Sequence, residues 1–279
     1  MNVYEIINAR IMELLESGTV PWHKPWNGSS SMPKNIASKK EYRGVNLFLL
    51  ACQPYSSQYW LTFNQCTDLG GRIIKGSKST PVVFWKLMDK DNPDTGTTSK
   101  IPLLRYYNVF NSEQCEGITI PPSDEPSNPF TPIETADLII RGMPLKPEIK
   151  YGGNRAYYSP TLDYIQLPNQ TAFEREEEFY GTLFHEAIHA TGNIKRLGRK
   201  SILEPSYFGS HDYSQEELVA EMGAAFLCGH AGIENITIEN SAAYIAGWLK
   251  SLKNDGTLLV HAAGQAQKAA DFILNTQPE

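Results

Sequence analysis

Cysteine is scarce in this chain: Cys52, Cys66, Cys115 and Cys228 are all there is in 279 residues, and no two stand as Cys-x-x-Cys. That excludes a disulfide frame and points to reduced thiols. Long apolar runs are missing too; nothing approaches the roughly 18 to 20 residues of a membrane span. Met1-Asn2-Val3-Tyr4-Glu5-Ile6 lacks a basic start followed by an apolar stretch, so no secretory leader is expected. The expected location is cytoplasmic, with no membrane partner. There is no internal repeat. A hydrophobic content of 41% with 20% charge describes a soluble globular protein long enough for two domains.

The net charge of −6 is unevenly spread. Residues 1–118 carry 13 Lys and Arg against 10 Asp and Glu, and residues 119–279 carry 12 against 21. Between 20 and 86, nine basic side chains meet only Glu41 and Asp68. Such a patch in an acidic chain is what a phosphate backbone requires. Aromatic residues are interleaved with it, and flat rings beside lysines suit single strands, whose bases stack without regard to sequence. The expected contacts are Trp22, Lys24, Trp26, Lys34, Lys39, Lys40, Tyr42, Arg43, Trp60, Arg72, Lys75 and Lys78. Pinning to the core is the competing role for the tryptophans of the 20–35 loop.

Apolar residues at helical spacing predict a helix over 2–17, stopped by Gly18. A second follows Gly44, and a third opens at the capping box Thr62-Phe63-Asn64-Gln65. Strand patterns occupy 72–78, 81–86 and 103–111, with a polar turn over 89–99. Five prolines between Pro121 and Pro132 mark a linker. Beyond it come a helix from about 135 to 142, two strands around a turn over 157–167, and amphipathic helices over 241–253 and 258–274.

The chemistry is concentrated at His185-Glu186-Ala187-Ile188-His189. Residues four apart on a helix lie one above the other, so both imidazoles aim at one point with Glu186 beside it. Two imidazoles hold Zn²⁺ and leave a place for water, whose proton the carboxylate takes. The flanking Leu183, Phe184, Ala187 and Ile188 make this a core helix, where unpartnered imidazoles would be costly. A third ligand is needed. Lys195 occupies the position where HExxHxxGxxH places its last histidine, and a protonated amine cannot ligate. The next candidates are Glu216, Glu217 and Glu221, on a helix opened near Tyr213. Glu217 is the expected ligand, because HExxH followed by two acids one turn apart resembles the gluzincin arrangement. Glu221 then accepts a hydrogen bond from a ligating histidine. Alternatively Ser214 and Glu217 form a capping box and Glu221 is the ligand. The oxyanion donor is open among Tyr158, His211 and Tyr213, and the 154–167 strands offer an edge for an extended peptide.

Several motifs in order resemble the ArdC antirestriction family: Pro21-Trp22-x-x-Pro25-Trp26, Tyr42-x-Gly44-x-Asn46, Trp60-x-Thr62-Phe63-x-Gln65, Lys75-Gly76-x-Lys78 and Tyr107-Asn108-Val109-Phe110-Asn111 at the N-terminal end, then His185-Glu186-x-x-His189, Thr191-Gly192, Arg196-Leu197 and Glu216-Glu217-Leu218-Val219-Ala220-Glu221. The resemblance implies protection of incoming mobile-element DNA from host restriction enzymes, single-strand binding and a zinc-peptidase fold. The expectation is therefore an α+β protein: a single-stranded-DNA-binding domain over 1–118, a linker over 119–134, and a mostly helical gluzincin-like domain with a small sheet over 135–279. Zn²⁺, or Mn²⁺ or Co²⁺ in its place, is the expected cofactor. The partners are single-stranded DNA and a restriction enzyme or other DNA-bound protein. The rival readings are a protease directed to DNA-bound proteins and a binding protein with a structural metal.

Overall fold

The computed structural model describes residues 2–22, 32–91, 98–122, 131–204, 211–233 and 242–276. By its internal contacts the chain divides into two units, Met1–Ile11 with Met32–Ser123, and Met12–Ser31 with Asp124–Glu279. The division falls inside helix α1 (Val3–Glu16), where Ile7, Ile11 and Leu15 recur every four residues as a buried stripe. Gly18, at φ +83°, ends the helix as the periodicity predicts. The stretch Met12–Ser31, read from sequence as part of the first domain, groups instead with the second unit. Most of the proline tract, residues 123–130, lies outside the described residues.

The first unit is built on a sheet of β1 (Lys34–Asn35), β2 (Tyr59–Thr62), β4 (Thr80–Asp91) and β5 (Thr98–Asn111), in the order β1-β2-β5-β4. A separate ribbon pairs β3 (Arg72–Ile73) with β6 (Cys115–Glu116). The β4–β5 ladder runs from Thr80↔Val109 to Asp91↔Thr98, so both strands enter the tract expected to be a turn. Pairing in a ribbon is made by the backbone, and polar composition does not end it. Helix α2 (Val45–Ala51) packs on β4 and places Leu50 with Tyr42, Trp60, Val82 and Val109 in one core cluster. The predicted capping box is present: Thr62 opens α3 (Phe63–Asp68), accepting from Gln65 N–H while the Gln65 side chain accepts from Thr62 N–H.

Past the proline tract, the second unit continues with α4 (Pro132–Gly142), started by a Thr131–Glu134 capping box three residues before the predicted boundary. Strands β7 (Glu148–Tyr151), β8 (Tyr157–Ser159) and β9 (Tyr164–Leu167) form a sheet in the order β7-β9-β8, so β8 is an edge. β7 was missed because Glu148-Ile149-Lys150-Tyr151 has one short alternation and little apolar weight. Helix α5 (Glu176–Thr191) carries the His-Glu-x-x-His stretch and packs against α7 (His211–Ala231). α6 (Lys200–Leu203) is a single turn between them. α8 (Ala242–Asn254) and α9 (Leu258–Ile273) follow, and Ala262, Ala263, Ala266, Ala269 and Ala270 of α9 are fully buried. Small side chains let α9 lie close to α7, itself buried over Leu218–Ala220 and Ala224–Cys228. All four cysteines are free thiols. Among the described residues no helix is long and apolar enough to cross a membrane.

Candidate metal centre and nucleic-acid face

Two helices make the centre. α5 buries Phe179, Leu183, Phe184, Ala187 and Ile188, which leaves His185 and His189 on a flank that faces α7. α7 comes close because residue 223 is glycine: a Cβ there would stand 2.6 Å from Ile188 Cδ1. That approach brings Glu217 across from the two rings.

The donor geometry fits a cation. His185 Nε2 and His189 Nε2 are 3.1 Å apart, and the Glu217 oxygens stand 3.7 Å from the first and 3.6 Å from the second. Donors roughly 2.0–2.1 Å from one tetrahedral ion stand about 3.3 Å from each other. One ligand atom from each residue lies within 4.8 Å of the others, and this is the one such group among the described residues. α7 begins at or before His211, so Ser214 is already inside the helix and Glu217 is not spent on a cap. That removes the ground for preferring Glu221 as ligand. Glu186 is buried and lines the same cleft, of about 460 Å³, as do Tyr157 and Tyr158 from β8 and Ala156 just before it.

The charges around the rings are strong. Burial alone would lower the His185 pKa, but the Glu217 carboxylate beside it and the nearby charges of Glu186 and Glu221 outweigh it and hold the ring up at about 9. Glu216 Oε1 lies 3.2 Å from His189 Nδ1, a contact to a candidate ligand's ring that the sequence reading did not assign. Burial would raise Glu216, yet His189 and the Arg199 guanidinium hold it down at about 2. Glu221, one turn further on, raises the pKa of Tyr244 and acts on His185 through its charge. Glu216 is held by Arg199 and Ser201, whereas Glu217 stands across from both rings.

Lys195, where the third histidine of the longer motif would stand, reaches Asp163 at 3.2 Å instead. Asp163 also pairs with buried Arg196, whose Nε donates to Ala190 O at 2.8 Å. The Tyr158 hydroxyl donates to Asp163 Oδ1 at 2.9 Å and accepts from Asn193 at 2.9 Å. Tyr158 is thereby committed to fastening β8 to the end of α5, which argues against its use as an oxyanion donor. The side chains of His211 and Tyr213 are outside the described residues.

The residues expected to contact nucleic acid differ in where they lie. Trp22, Tyr42 and Trp60 are buried at 1%, 6% and 2% exposure and offer no open face for a base. Trp22 meets Trp248 edge-on at 5.9 Å and donates to the Tyr244 hydroxyl at 3.2 Å, so it is spent on packing within the second unit. Lys34 and Arg72 pair with Glu41 and Glu116. Lys39, Lys40, Arg43, Lys75 and Lys78 are exposed, while Lys24 and Trp26 lie outside the described residues. Among the described residues of the first unit, the exposed rings are Phe63, Phe84, Tyr106 and Tyr107. Phe84 and Tyr107 stand on one face of the β4–β5 ladder, 5.4 Å apart, with exposed Arg105 opposite Phe84. Strand periodicity around Tyr107 carried that signal, but composition favoured the tryptophans.

Residues 134–265 match the zincin-like metallopeptidase family, and residues 1–110 match the N-terminal domain of the anti-restriction factor ArdC. An uncharacterized protein of Sinorhizobium fredii is 32% identical over 98% of this chain and 91% of its own length. A DNA primase TraC of Escherichia coli is 32% identical over 97% of this chain, which spans only 27% of that relative. The metal-free crystal structure of antirestriction ArdC from plasmid R388 superposes over 100% of both chains with a TM-score of 0.79 at 35% identity. Its Mn(II)-bound structure covers 99% of this chain and 98% of its own, with a TM-score of 0.78 at 33% identity. With both halves matched in order and the R388 ArdC structure covered over its whole length, the chain belongs to the ArdC antirestriction family.

Proposed function

We propose that this protein binds single-stranded DNA through its first unit, protects mobile-element DNA from host restriction enzymes, and carries a zinc-dependent peptidase site in its second. The convergence of His185, His189 and Glu217 on one point, with Glu186 in the same cleft, carries the peptidase reading. The two imidazoles and one carboxylate suit Zn²⁺, and also Mn²⁺, the ion in the R388 relative's Mn(II)-bound structure. A divalent cation held there would supply Lewis acidity toward water and a peptide carbonyl. Glu186 takes the proton from the attacking water and delivers it to the leaving amine. Edge strand β8 lines the cleft and offers its free side to an extended peptide.

DNA binding is supported by the exposed cations of the first unit and by the Phe84–Tyr107 pair beside Arg105, which gives two or more bases a stacking surface. The test is a restriction enzyme assembled on DNA bearing a single-stranded stretch, mixed with wild type or Glu186→Gln, with and without chelator. Fragments of the enzyme are expected with wild type, and their rate of appearance falls by about two to four orders of magnitude in the variant. If the DNA is protected equally by both and no fragment forms, the peptidase role is lost and a DNA-covering role with a structural cation takes its place.

A further inference from the structure

We infer that Arg199 is a positioning residue for the metal centre: its guanidinium holds the Glu216 carboxylate against His189 Nδ1, so that the ring presents Nε2 to the cation. The inference rests on the reading that His185, His189 and Glu217 bind a divalent ion. Neither Arg199 nor Glu216 reaches that point.

The geometry is a closed chain of contacts. Arg199 is 6% exposed, and its Nε and Nη2 donate to the two Glu216 oxygens at 3.0 and 2.6 Å. Its Nη1 donates to Thr191 Oγ1 at 2.6 Å, and Nη2 also reaches Ile188 O at 2.7 Å. The fork is therefore aimed by the same α5 turn that bears His189. Ser201 donates to Glu216 as well. A carboxylate is acceptor-only, so the ring nitrogen facing it must be the N–H, which assigns the proton to Nδ1 and leaves the Nε2 lone pair toward Glu217. Gly192 makes room for this: a Cβ there would stand 3.1 Å from Arg199 Nη2 and 2.4 Å from Ile202 Cγ1. A lysine has one donor centre and cannot meet both Glu216 oxygens, Thr191 and Ile188 at once.

The experiment uses the full chain as wild type, Arg199→Lys, Thr191→Val and Arg196→Lys. Arg196 serves as control because it also bonds the end of α5, at Ala190 O, and forms a buried ion pair, but does not touch Glu216 through any observed contact. Zn²⁺ affinity is measured by chelator competition, the visible spectrum of Co²⁺ reports ligand geometry, and the His189 Nδ1–H signal is followed by long-range ¹H–¹⁵N spectra of the Zn²⁺ form. Arg199→Lys is expected to weaken Zn²⁺ binding by about 10- to 100-fold and to lose that signal. Thr191→Val, which removes the hydroxyl that accepts from the fork and donates to Ile188 O, moves affinity the same way by less. Arg196→Lys keeps wild-type affinity and spectrum even where it lowers the melting temperature of the metal-free protein. The inference is overturned if Arg199→Lys and Thr191→Val bind both ions with wild-type affinity and spectra, or if Arg196→Lys weakens binding as much as Arg199→Lys. A wild type that binds neither ion overturns the metal reading and this inference together.

Discussion

At the scale of single residues, the centre depends on where one proton and one carboxylate sit. His185 in the metal-free protein holds its proton to about 9, above its usual value near 6.5. A raised folded pKa gives stability that is complete below the ordinary value and is lost as pH rises through about 9. The chelated protein should therefore melt at lower temperature at pH 9.5 than at pH 7, and His185→Gln should flatten that difference. A divalent cation must expel this proton, so its apparent affinity should rise about tenfold per pH unit up to roughly pH 9, read by titration at fixed temperature. Glu216 has the opposite sign. Its contribution is present above about 4.5 and is lost as pH falls toward about 2, so Glu216→Gln should alter acid unfolding in that window.

Elements bring those residues together through small side chains and a few backbone closures. Gly223 is where α7 touches Ile188 of α5, and a methyl group there must push one helix away. Gly223→Ala is expected to cost about 1–3 kcal/mol in denaturant unfolding and to weaken metal binding together with it, since Glu217 rides on the same helix. In the first unit, the Asn46 side chain accepts from Val83 N–H and donates to Val83 O, both at 2.7 Å, and so closes the outer edge of β4. Gly44, at φ +59°, turns the chain into α2 just ahead of it, which gives a structural reason for the Tyr42-x-Gly44-x-Asn46 spacing. Asn46→Ala leaves two backbone groups without that partner. A loss of about 1–3 kcal/mol for each is expected, unless water reaches the strand, and equilibrium unfolding measures it.

At the scale of the whole molecule, the two activities should separate by substitution. Phe84→Ala with Tyr107→Ala should weaken single-strand binding by about 1–3 kcal/mol per lost stack while leaving Zn²⁺ affinity intact. Glu186→Gln should leave single-strand binding intact while slowing the proposed cleavage; fluorescence anisotropy with a labelled oligonucleotide reads binding, and chelator competition reads Zn²⁺ affinity. The sequence by itself determined the class, the His-Glu-x-x-His helix and most helix and strand positions, because these follow from local periodicity, caps and spacing that need no partner. It also pointed to Glu217 as third donor, with Glu221 as alternative. Only the tertiary structure shows which acids stand where, Glu217 across from the two rings and Glu216 on Arg199, since that depends on how α7 is rotated against α5 and on a loop arginine arriving from outside both. The same holds for the rings. Trp22, Tyr42 and Trp60 match an aromatic, basic composition as well as Phe84 and Tyr107 do, and packing alone settles which of them are spent on the core and which face solvent.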